Sequence, residues 1–340
     1  MGLKLLRNEL QNAANCIGFI LVTAMTILAS SQVAAEQKTS TSGIELVVPT
    51  AAEGSTDQLA RLIAAGLTRK GFGDVNVHNM PGRSGTLAAS HVATSAPDGR
   101  TLLVATPSSH GIASAFESKM AYDPGTSFTP IIRFAAAPYV LVIKPGNIGT
   151  LAQFVDKAKS AQGQWHYSST GIGGPHHLIA ELYFQSAGLS LRHVPAKGGA
   201  AALEKLIDGS VEVMLPAAIL ALPRIQQGQL KALAVTGNQR LKFLPEVPTF
   251  TELGTPVDLV SWYGLMGPAG MPAAQAKRLA ITVQEILAEP TVQAQLSELG
   301  IDRTADVGTA FLDVIANEVT RWKALVSGLG IRSSDMATDK

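Results

Sequence analysis

The sequence has a single cysteine, few aromatic residues and almost no net charge over its 340 residues. Its 27 Lys and Arg residues nearly balance 26 Asp and Glu residues, whereas a nucleic-acid binder normally carries a basic excess or a basic stripe. A hydrophobic content of 46% excludes a disordered chain and fits a globular α/β protein. The length predicts two domains.

Residues 1–35 have the pattern of a secretory signal peptide. Lys4 and Arg7 precede a mostly apolar run over residues 16–29, and small residues predict cleavage after Ala35. This run of about 14 residues is shorter than the roughly 20 that a membrane-spanning helix needs. We therefore favour a cleaved signal over an uncleaved membrane anchor and expect the protein to be exported.

The only cysteine, Cys16, lies within this predicted signal, so the exported chain is expected to have none. This excludes disulfides, a cysteine nucleophile and thiolate metal sites. No Leu-x-x-Cys pattern predicts a lipid anchor. A two-domain exported chain without disulfides is typical of the bacterial periplasm, which is the predicted location.

Beyond residue 43, short strand patterns alternate with amphipathic helix patterns. The first strands are predicted at residues 44–49, 75–77 and 101–105, with a helix after each of the first two. Such a βαβαβ series is the signature of a parallel sheet covered by helices. After residue 267 the sequence predicts mainly helices.

Two crossings between lobes are predicted. The chain leaves one lobe after a strand at residues 139–143, with residues 144–147 as the crossing, and it returns near residue 260; a hinged cleft needs two such crossings. We therefore predict an α/β protein of two lobes. The signal peptide takes residues 1–35, lobe 1 takes residues 36–143 and 261–340, and lobe 2 takes residues 144–260.

Residues 49–57 contain the first of three loops that are candidates for binding an anion. Small side chains leave backbone N–H groups accessible at the positive N-terminus of a helix, which can hold a carboxylate or phosphate without any basic side chain. Ser55 and Gln58 also fit a capping box. Capping of the helix alone therefore explains this loop equally well.

The second and third loops also precede predicted helices. Residues 168–176 have three hydroxyls and three glycines around the start of a helix at Pro175, a residue favoured in the first helical turn. This pattern predicts a second anion-binding loop from the other lobe. In the third loop, residues 195–199, Lys197 either supplies a positive charge or is an ordinary surface lysine, which is the commoner case.

Signatures of common enzymes are missing from the sequence. It has no Gly-x-Ser-x-Gly and no His-Glu-x-x-His, and the second loop fits neither a phosphate loop nor a dinucleotide fingerprint.

Adjacent His176 and His177 point about 100° apart on a helix, which disfavours a shared metal, and the other histidines are predicted to be core or surface residues. A catalytic serine within residues 168–170 stays open, because a triad assembles in space. No metal and no cofactor are predicted.

Eight motifs occur in a recognisable order along the chain. They lie at residues 48–57, 79–85, 96–102, 167–177, 193–198, 233–236, 244–249 and 267–270. Through them the sequence, from about Ile44 to Ile301, resembles the tripartite tricarboxylate transporter substrate-binding proteins, also called the Bug receptors. The resemblance implies a Venus-flytrap fold of the periplasmic binding protein type with a hinged interlobe cleft. It also implies a monomer without catalysis, which captures a small organic carboxylate and delivers it to membrane permease subunits.

In that family the first and second loops face each other across the cleft and hold one carboxylate through backbone N–H groups, hydroxyls and waters. The resemblance assigns ligand binding in lobe 1 to Thr50, Ala51, Ala52, Gly54, Ser55 and Asp57, and Glu53 in the same loop is a further candidate. In lobe 2 it assigns ligand binding to Ser168, Ser169, Thr170 and Gly171. Weaker candidates for the cleft floor are Ser108, His110 and Ala217.

Three residues depart from the family pattern and bear on the ligand. Glu53 stands where the family usually has glycine, and its carboxylate, at roughly 5 Å from a bound carboxylate, would oppose binding by about 3 kcal/mol at an effective dielectric near 20. Glu53 therefore either points into solvent or meets a cationic group on the ligand, and a non-glycine at positive φ predicts a reshaped loop. Thr50 and Ala196 replace a usual aromatic residue and a usual tyrosine, which predicts a larger or differently shaped ligand than a small dicarboxylate.

Two rival functions stay open. A sensor-only periplasmic receptor would bind the ligand equally well but act on a signalling protein. An exported serine hydrolase, the less favoured rival, would turn over its substrate and lose that activity on Ser169→Ala. Neither rival involves a nucleic acid.

Overall fold

The computed structural model describes residues 43–117, 119–255 and 257–331. The predicted signal peptide and its cleavage site lie outside these residues. Within them the strands are β1 Ile44–Val48, β2 Val75–Asn79, β3 Thr101–Ala105, β4 Phe128–Pro138, β5 Val140–Ile143, β6 His166–Ser169, β7 Arg192–Pro195, β8 Val213–Met214, β9 Lys231–Val235, β10 Val260–Pro268 and β11 Asp302–Val307. The α-helices are α1 Ser55–Arg69, α2 Thr86–Ala93, α3 Ala113–Phe116, α4 Leu151–Ser160, α5 Pro175–Ser186, α6 Gly199–Ile207, α7 Ala218–Gln226, α8 Ala273–Ala288, α9 Pro290–Glu298 and α10 Thr309–Leu329.

The strands form two mixed sheets. The six-stranded sheet has the order β11-β4-β10-β3-β1-β2, and the five-stranded sheet has the order β7-β6-β8-β5-β9. β1 is parallel to β2 and β3, and β6 is parallel to β7 and β8. The remaining pairs, which involve β4, β5, β9, β10 and β11, are antiparallel. The parallel sheet predicted from the βαβαβ series is therefore confirmed for β1, β2 and β3, and each complete sheet also contains antiparallel strands.

Four of these elements are not predicted by the sequence patterns: β4, the one-turn helix α3, α7 and β11. β4 has branched and aromatic residues in its first part, but two prolines and the small residues Ala135–Ala137 interrupt the pattern that indicates a strand. α7 contains Pro223, and proline disfavours the interior of a helix. β11 is a mostly polar edge strand paired with β4 alone. In the described residues no helix is long and apolar enough to cross a membrane.

Helix α1 is fixed against the six-stranded sheet by a buried apolar stripe. Leu59, Ile63 and Leu67 recur at helical spacing and are buried. Gly66 permits a close approach to α8, because a Cβ there would lie 2.6 Å from Cγ2 of Ile286. This packing fixes the N-terminus of α1 beside the carboxyl end of β1.

The chain passes from one sheet to the other at Tyr139, the single residue between β4 and β5. Residues 144–147, predicted as the crossing, are instead an exposed bend that follows β5. Thr236 connects this crossing to the returning chain. Its N–H donates to the Tyr139 carbonyl at 2.9 Å, its Oγ1 accepts from Tyr139 N–H at 2.8 Å, and the same hydroxyl donates to the Leu259 carbonyl at 2.6 Å.

The topology turns the carboxyl edges of the two sheets towards this crossing. β1, β2 and β3 are parallel, and β4 runs in the same direction, because β10 pairs antiparallel with both β3 and β4. In the other sheet β5 begins beside the ends of β8 and β9, since Val140 N–H donates to the Pro216 carbonyl and Val140 pairs with Val235. The loops that follow the parallel strands of both sheets therefore lie at one crevice, the position where open α/β sheets bind ligands.

Candidate functional site

Loops from both sheets meet at the crevice. The three predicted loops are shorter in the structure, because the neighbouring strands and helices take up their ends. From here on the first loop means residues 49–54, the second loop residues 170–174 and the third loop residues 195–198. A Cβ built on Gly198 of the third loop would lie 3.9 Å from the Cβ of Ala51 in the first loop. The loops after β1, β2 and β3 are also packed together, because a Cβ on Gly85 would lie 3.0 Å from Pro49 Cβ and 3.4 Å from Ser109 Cβ.

Asp57 holds the first loop in place from beneath. Its Oδ2 accepts from the Glu53 N–H at 3.0 Å and from Arg61 Nε at 2.9 Å, and its Oδ1 accepts from Asn79 Nδ2 at 2.9 Å. Asn79 Nδ2 also donates to the Thr50 carbonyl at 3.1 Å. Asp57 is only 2% exposed, so its carboxylate positions the loop backbone from within.

The predicted capping box at Ser55 and Gln58 is wrong. Gly54 is the N-cap of α1, no side chain caps the helix, and Ser55 is the first helical residue. Gln58 Nε2 donates instead to the Glu53 carbonyl at 3.3 Å. The N–H groups of the first turn, which have no intrahelical acceptor, therefore lie beside a glycine and two exposed alanines, Ala51 and Ala52.

Replacing Asp57 with asparagine should destabilise the protein by about 1–3 kcal/mol, because an amide nitrogen would then face donors where a carboxylate oxygen now accepts. Burial alone would raise the pKa of Asp57, but the hydrogen bonds from Arg61, Asn79 and Glu53 N–H outweigh it and lower the pKa. A lowered folded-state pKa contributes stability above the unfolded-state pKa that is lost as the pH falls through the folded-state value. Thermal unfolding should therefore show a difference in stability between wild type and Asp57→Asn that is smaller at acidic pH than at neutral pH.

The exposed Asp302→Asn is the control for this prediction. An equal loss of stability in both variants would contradict the role of Asp57 in holding the first loop.

Glu53 departs from the usual backbone of a non-glycine residue. Its φ is 65°, in the left-handed region that L side chains rarely adopt, and its side chain is exposed. The loop therefore keeps a glycine-like conformation at a position where this chain has a charged residue. In the same loop Thr50 Oγ1 lies near Gly54, since a Cβ built on Gly54 would be 3.9 Å from that oxygen.

Ser168 and Ser169, two of the residues predicted to bind ligand, use their hydroxyls in hydrogen bonds within the protein. Ser168 Oγ donates to the Ala202 carbonyl of α6 at 2.9 Å. Ser169 Oγ lies 3.0 Å from the Gly171 carbonyl and 2.7 Å from His193 Nε2, and it accepts from Gly171 N–H at 3.1 Å. Both residues are fully buried, so they shape the second loop from behind.

Thr170 belongs to a hydrogen-bonded chain across the end of the five-stranded sheet. His176 Nδ1 lies 2.8 Å from Thr170 Oγ1, and His176 Nε2 accepts from Ala217 N–H at 3.2 Å. Burial lowers the pKa of His176 to about 4, so the ring is neutral at pH 7. The Ala217 N–H is used in this chain, which makes Ala217 a support for His176. Thr170 itself is partly exposed at the crevice.

The remaining histidines near the loops, His177 and His193, belong to an aromatic stack. His177 stacks on His193 at a ring separation of 4.0 Å, with Tyr167 stacked on His193 at 4.8 Å, and burial, together with the neighbouring His177, lowers the pKa of His193 to about 3. His176 packs instead against Tyr139, so the rings of His176 and His177 have different neighbours. Among the described residues no group of three or more His, Cys, Asp or Glu is placed to hold a metal.

His110 and Ser108, two of the candidates for the cleft floor, differ in their exposure. His110 is buried against Phe128 at a ring separation of 4.8 Å and its pKa is lowered to about 3 by burial, so it is a core histidine. Ser108 is partly exposed in a π-helical turn, Ser108–Ile112, just beyond the carboxyl end of β3. Its neighbour Ser109 is buried and bonded to the Thr106 backbone.

Sequence reasoning missed Asn79, His176 and Tyr263 as site residues. Asn79 ends β2 at the carboxyl edge, which is the signal that could have found it. Burial raises the pKa of the Tyr263 phenol, and the neighbouring hydroxyls of Ser261 and Ser55 oppose this rise. Tyr263 thus places a neutral phenol beside the first turn of α1.

Two sheets whose strand-end loops meet at one crevice are the architecture of a two-lobed binding protein of the periplasmic type. Residues 59–331 match the tripartite tricarboxylate transporter family receptor. The chain belongs to that family, which confirms the resemblance, and it is a solute-binding receptor.

Solved structures of similar proteins share the fold. Rpa4515 of R. palustris, determined with adipate, is 31% identical with a TM-score of 0.81, covering 85% of this chain and 98% of that one. MatC of Rhodopseudomonas palustris, determined with bound malate, is 30% identical with a TM-score of 0.76, covering 84% and 98%. The periplasmic binding protein BugD is 27% identical with a TM-score of 0.79, covering 85% and 98%.

Proposed function

We propose that the protein is a periplasmic receptor that captures a small organic carboxylate between its two sheets and delivers it to the membrane subunits of a tripartite tricarboxylate transporter. The observation that carries the proposal is the approach of the first and third loops, with Ala51 and the Gly198 position 3.9 Å apart. Both loops present small residues at helix N-termini, where backbone N–H groups hold an anion. The adipate-bound and malate-bound relatives support a carboxylate as the ligand.

In this proposal the sheets are the centres of two lobes that close on the ligand. The predicted division, residues 36–143 and 261–340 against residues 144–260, is kept except that β5 goes with the second lobe. The Thr236 hydrogen bonds to both crossings limit the motion to a hinge at this point. A ligand drives closure only as far as it prefers the closed state, and the closed form is the one that a transporter recognises. The protein acts as a monomer, exported by a signal peptide at residues 1–35.

The Ser169–His193 pair is the observation that would favour a hydrolase. The two side chains are within hydrogen-bonding distance, as a nucleophile and its base must be. Ser169, however, is buried and bonded to both backbone groups of Gly171. No described carboxylate hydrogen-bonds to His193, whereas a triad needs one to orient its histidine. We therefore propose binding without turnover.

A thermal-shift screen of the purified protein tests the proposal. Mono-, di- and tricarboxylates, aromatic acids and amino acids are compared, and a carboxylate at about 100 times its Kd should add roughly 2.7 kcal/mol of stability. Recovery of the ligand unchanged after incubation, with wild type and with Ser169→Ala, separates a receptor from a hydrolase. A screen in which only amines shift the melting temperature would remove the carboxylate assignment. Reconstitution with the transporter's membrane subunits distinguishes a transport receptor from a sensor.

A further inference from the structure

The hydrogen-bonded chain from Ala217 through His176 to Thr170 has a fixed direction. A backbone N–H can only donate, so His176 Nε2, which lies 3.2 Å from Ala217 N, must accept. A neutral imidazole carries one proton, which is then on Nδ1. The Nδ1–H donates to Thr170 Oγ1 at 2.8 Å, and the hydroxyl proton of Thr170 is left to donate elsewhere.

The surroundings of His176 hold this arrangement. The ring is 7% exposed and packs edge-on against Tyr139 at the crossing between the sheets, with ring centroids 5.5 Å apart. A charged ring would set an N–H against the Ala217 N–H, which the buried position disfavours. The Thr170 hydroxyl has no second hydrogen bond among the described residues, and it lies at the crevice in the second loop.

We infer that His176 is a positioning residue that fixes the Thr170 hydroxyl as a hydrogen-bond donor to the ligand, an inference that rests on the proposed function. A freely rotating hydroxyl either donates or accepts, but one that already accepts from a histidine presents only its proton. This point of the crevice therefore selects an acceptor, such as a carboxylate or carbonyl oxygen, and rejects an ammonium group. Ala217 enters this selection through its backbone N–H, which sets the histidine tautomer.

Nitrogen-15 NMR of the imidazole rings in the full protein tests the tautomer directly, with His176→Phe assigning the signal. At pH 7 we expect His176 to be neutral with its proton on Nδ1, both without ligand and with the carboxylate found by screening. A proton on Nε2 would overturn the inference. This result does not depend on any ligand, so it stands or falls separately from the proposed function, which fails if no carboxylate binds the wild type.

A double-mutant cycle tests the coupling to ligand binding by calorimetry. Thr170→Val keeps the shape and removes the hydroxyl, and it should weaken carboxylate binding about tenfold, whereas Thr170→Ser should stay close to wild type. His176→Phe keeps a buried ring but leaves the Thr170 hydroxyl free to rotate, so it should cause a smaller loss than Thr170→Val. Because His176 acts only through that hydroxyl, the double variant should bind no more weakly than Thr170→Val alone. Fully additive losses, or a loss with Thr170→Ser equal to that with Thr170→Val, would contradict a positioning role.

Discussion

Replacing Gly171 with valine should reduce ligand affinity at least about 100-fold, equivalent to roughly 2.7 kcal/mol, while the protein stays folded. Gly171 has a φ of 137°, which a β-branched residue does not adopt without strain. Its N–H donates to Ser169 Oγ and its carbonyl accepts from Gly174 N–H and lies 3.0 Å from Ser169 Oγ. A shift of this residue therefore moves the whole second loop, including the Thr170 hydroxyl.

The control for this prediction is Gly188→Val, another glycine with positive φ. Gly188 has a φ of 65° and lies beyond the C-terminal end of α5, where an added Cβ meets nothing within 4 Å. The helix separates it from the second loop by about 18 Å, at 1.5 Å per residue. Both variants should lose some thermal stability, but Gly188→Val should keep wild-type affinity in calorimetric titration. Undiminished binding by Gly171→Val would remove the second loop from the site.

The alternating sequence pattern was sufficient to predict the parallel parts of both sheets. β1 and β3 are short apolar runs that are mostly buried, as is typical of strands inside a parallel sheet with both faces covered. The antiparallel strands were harder to predict, because β4 mixes prolines with alanines and β11 is a polar edge strand whose partner lies far away in the chain. The residue pattern of Asp302–Val307 does not by itself indicate that this segment pairs with β4.

Sequence patterns also predicted the loops of the candidate site better than the roles of its single residues. Small residues before a helix predicted both main loops, since any exposed helix N-terminus attracts an anion. The sequence did not distinguish a residue that contacts ligand from one that holds the loop. Asp57 and Ser169 are buried and bonded to Asn79 and His193, residues distant in the sequence, whereas Thr170 is partly exposed. A reshaped backbone was expected where Glu53 replaces the usual glycine, but Glu53 itself adopts a φ of 65°.

Removing the charge of Glu53 should increase affinity for simple dicarboxylates by about tenfold. At roughly 5 Å its carboxylate would oppose a bound carboxylate by about 3 kcal/mol at an effective dielectric near 20. The Glu53 side chain is exposed, so solvent and salt reduce that value. Glu53→Gln should therefore raise the affinity measured by calorimetry, and the gain should shrink as salt is added. The exposed Glu298→Gln, at the end of α9, is the matched control.

Comparing Glu53→Gln with Glu53→Gly separates charge from backbone. Glutamine keeps a non-glycine residue at a φ of 65°, whereas glycine also relieves a left-handed strain of about 1 kcal/mol and adds a similar amount of unfolded-state entropy. Unfolding free energies should therefore agree within about 1 kcal/mol, and equal gains in dicarboxylate affinity would assign the effect to charge. A gain with glycine alone would assign it to the shape of the first loop. If neither variant changes binding, Glu53 lies in solvent. If both instead weaken a ligand that carries an ammonium group, Glu53 is the residue that recognises that group, because only an opposite charge converts its carboxylate from an obstacle into a partner.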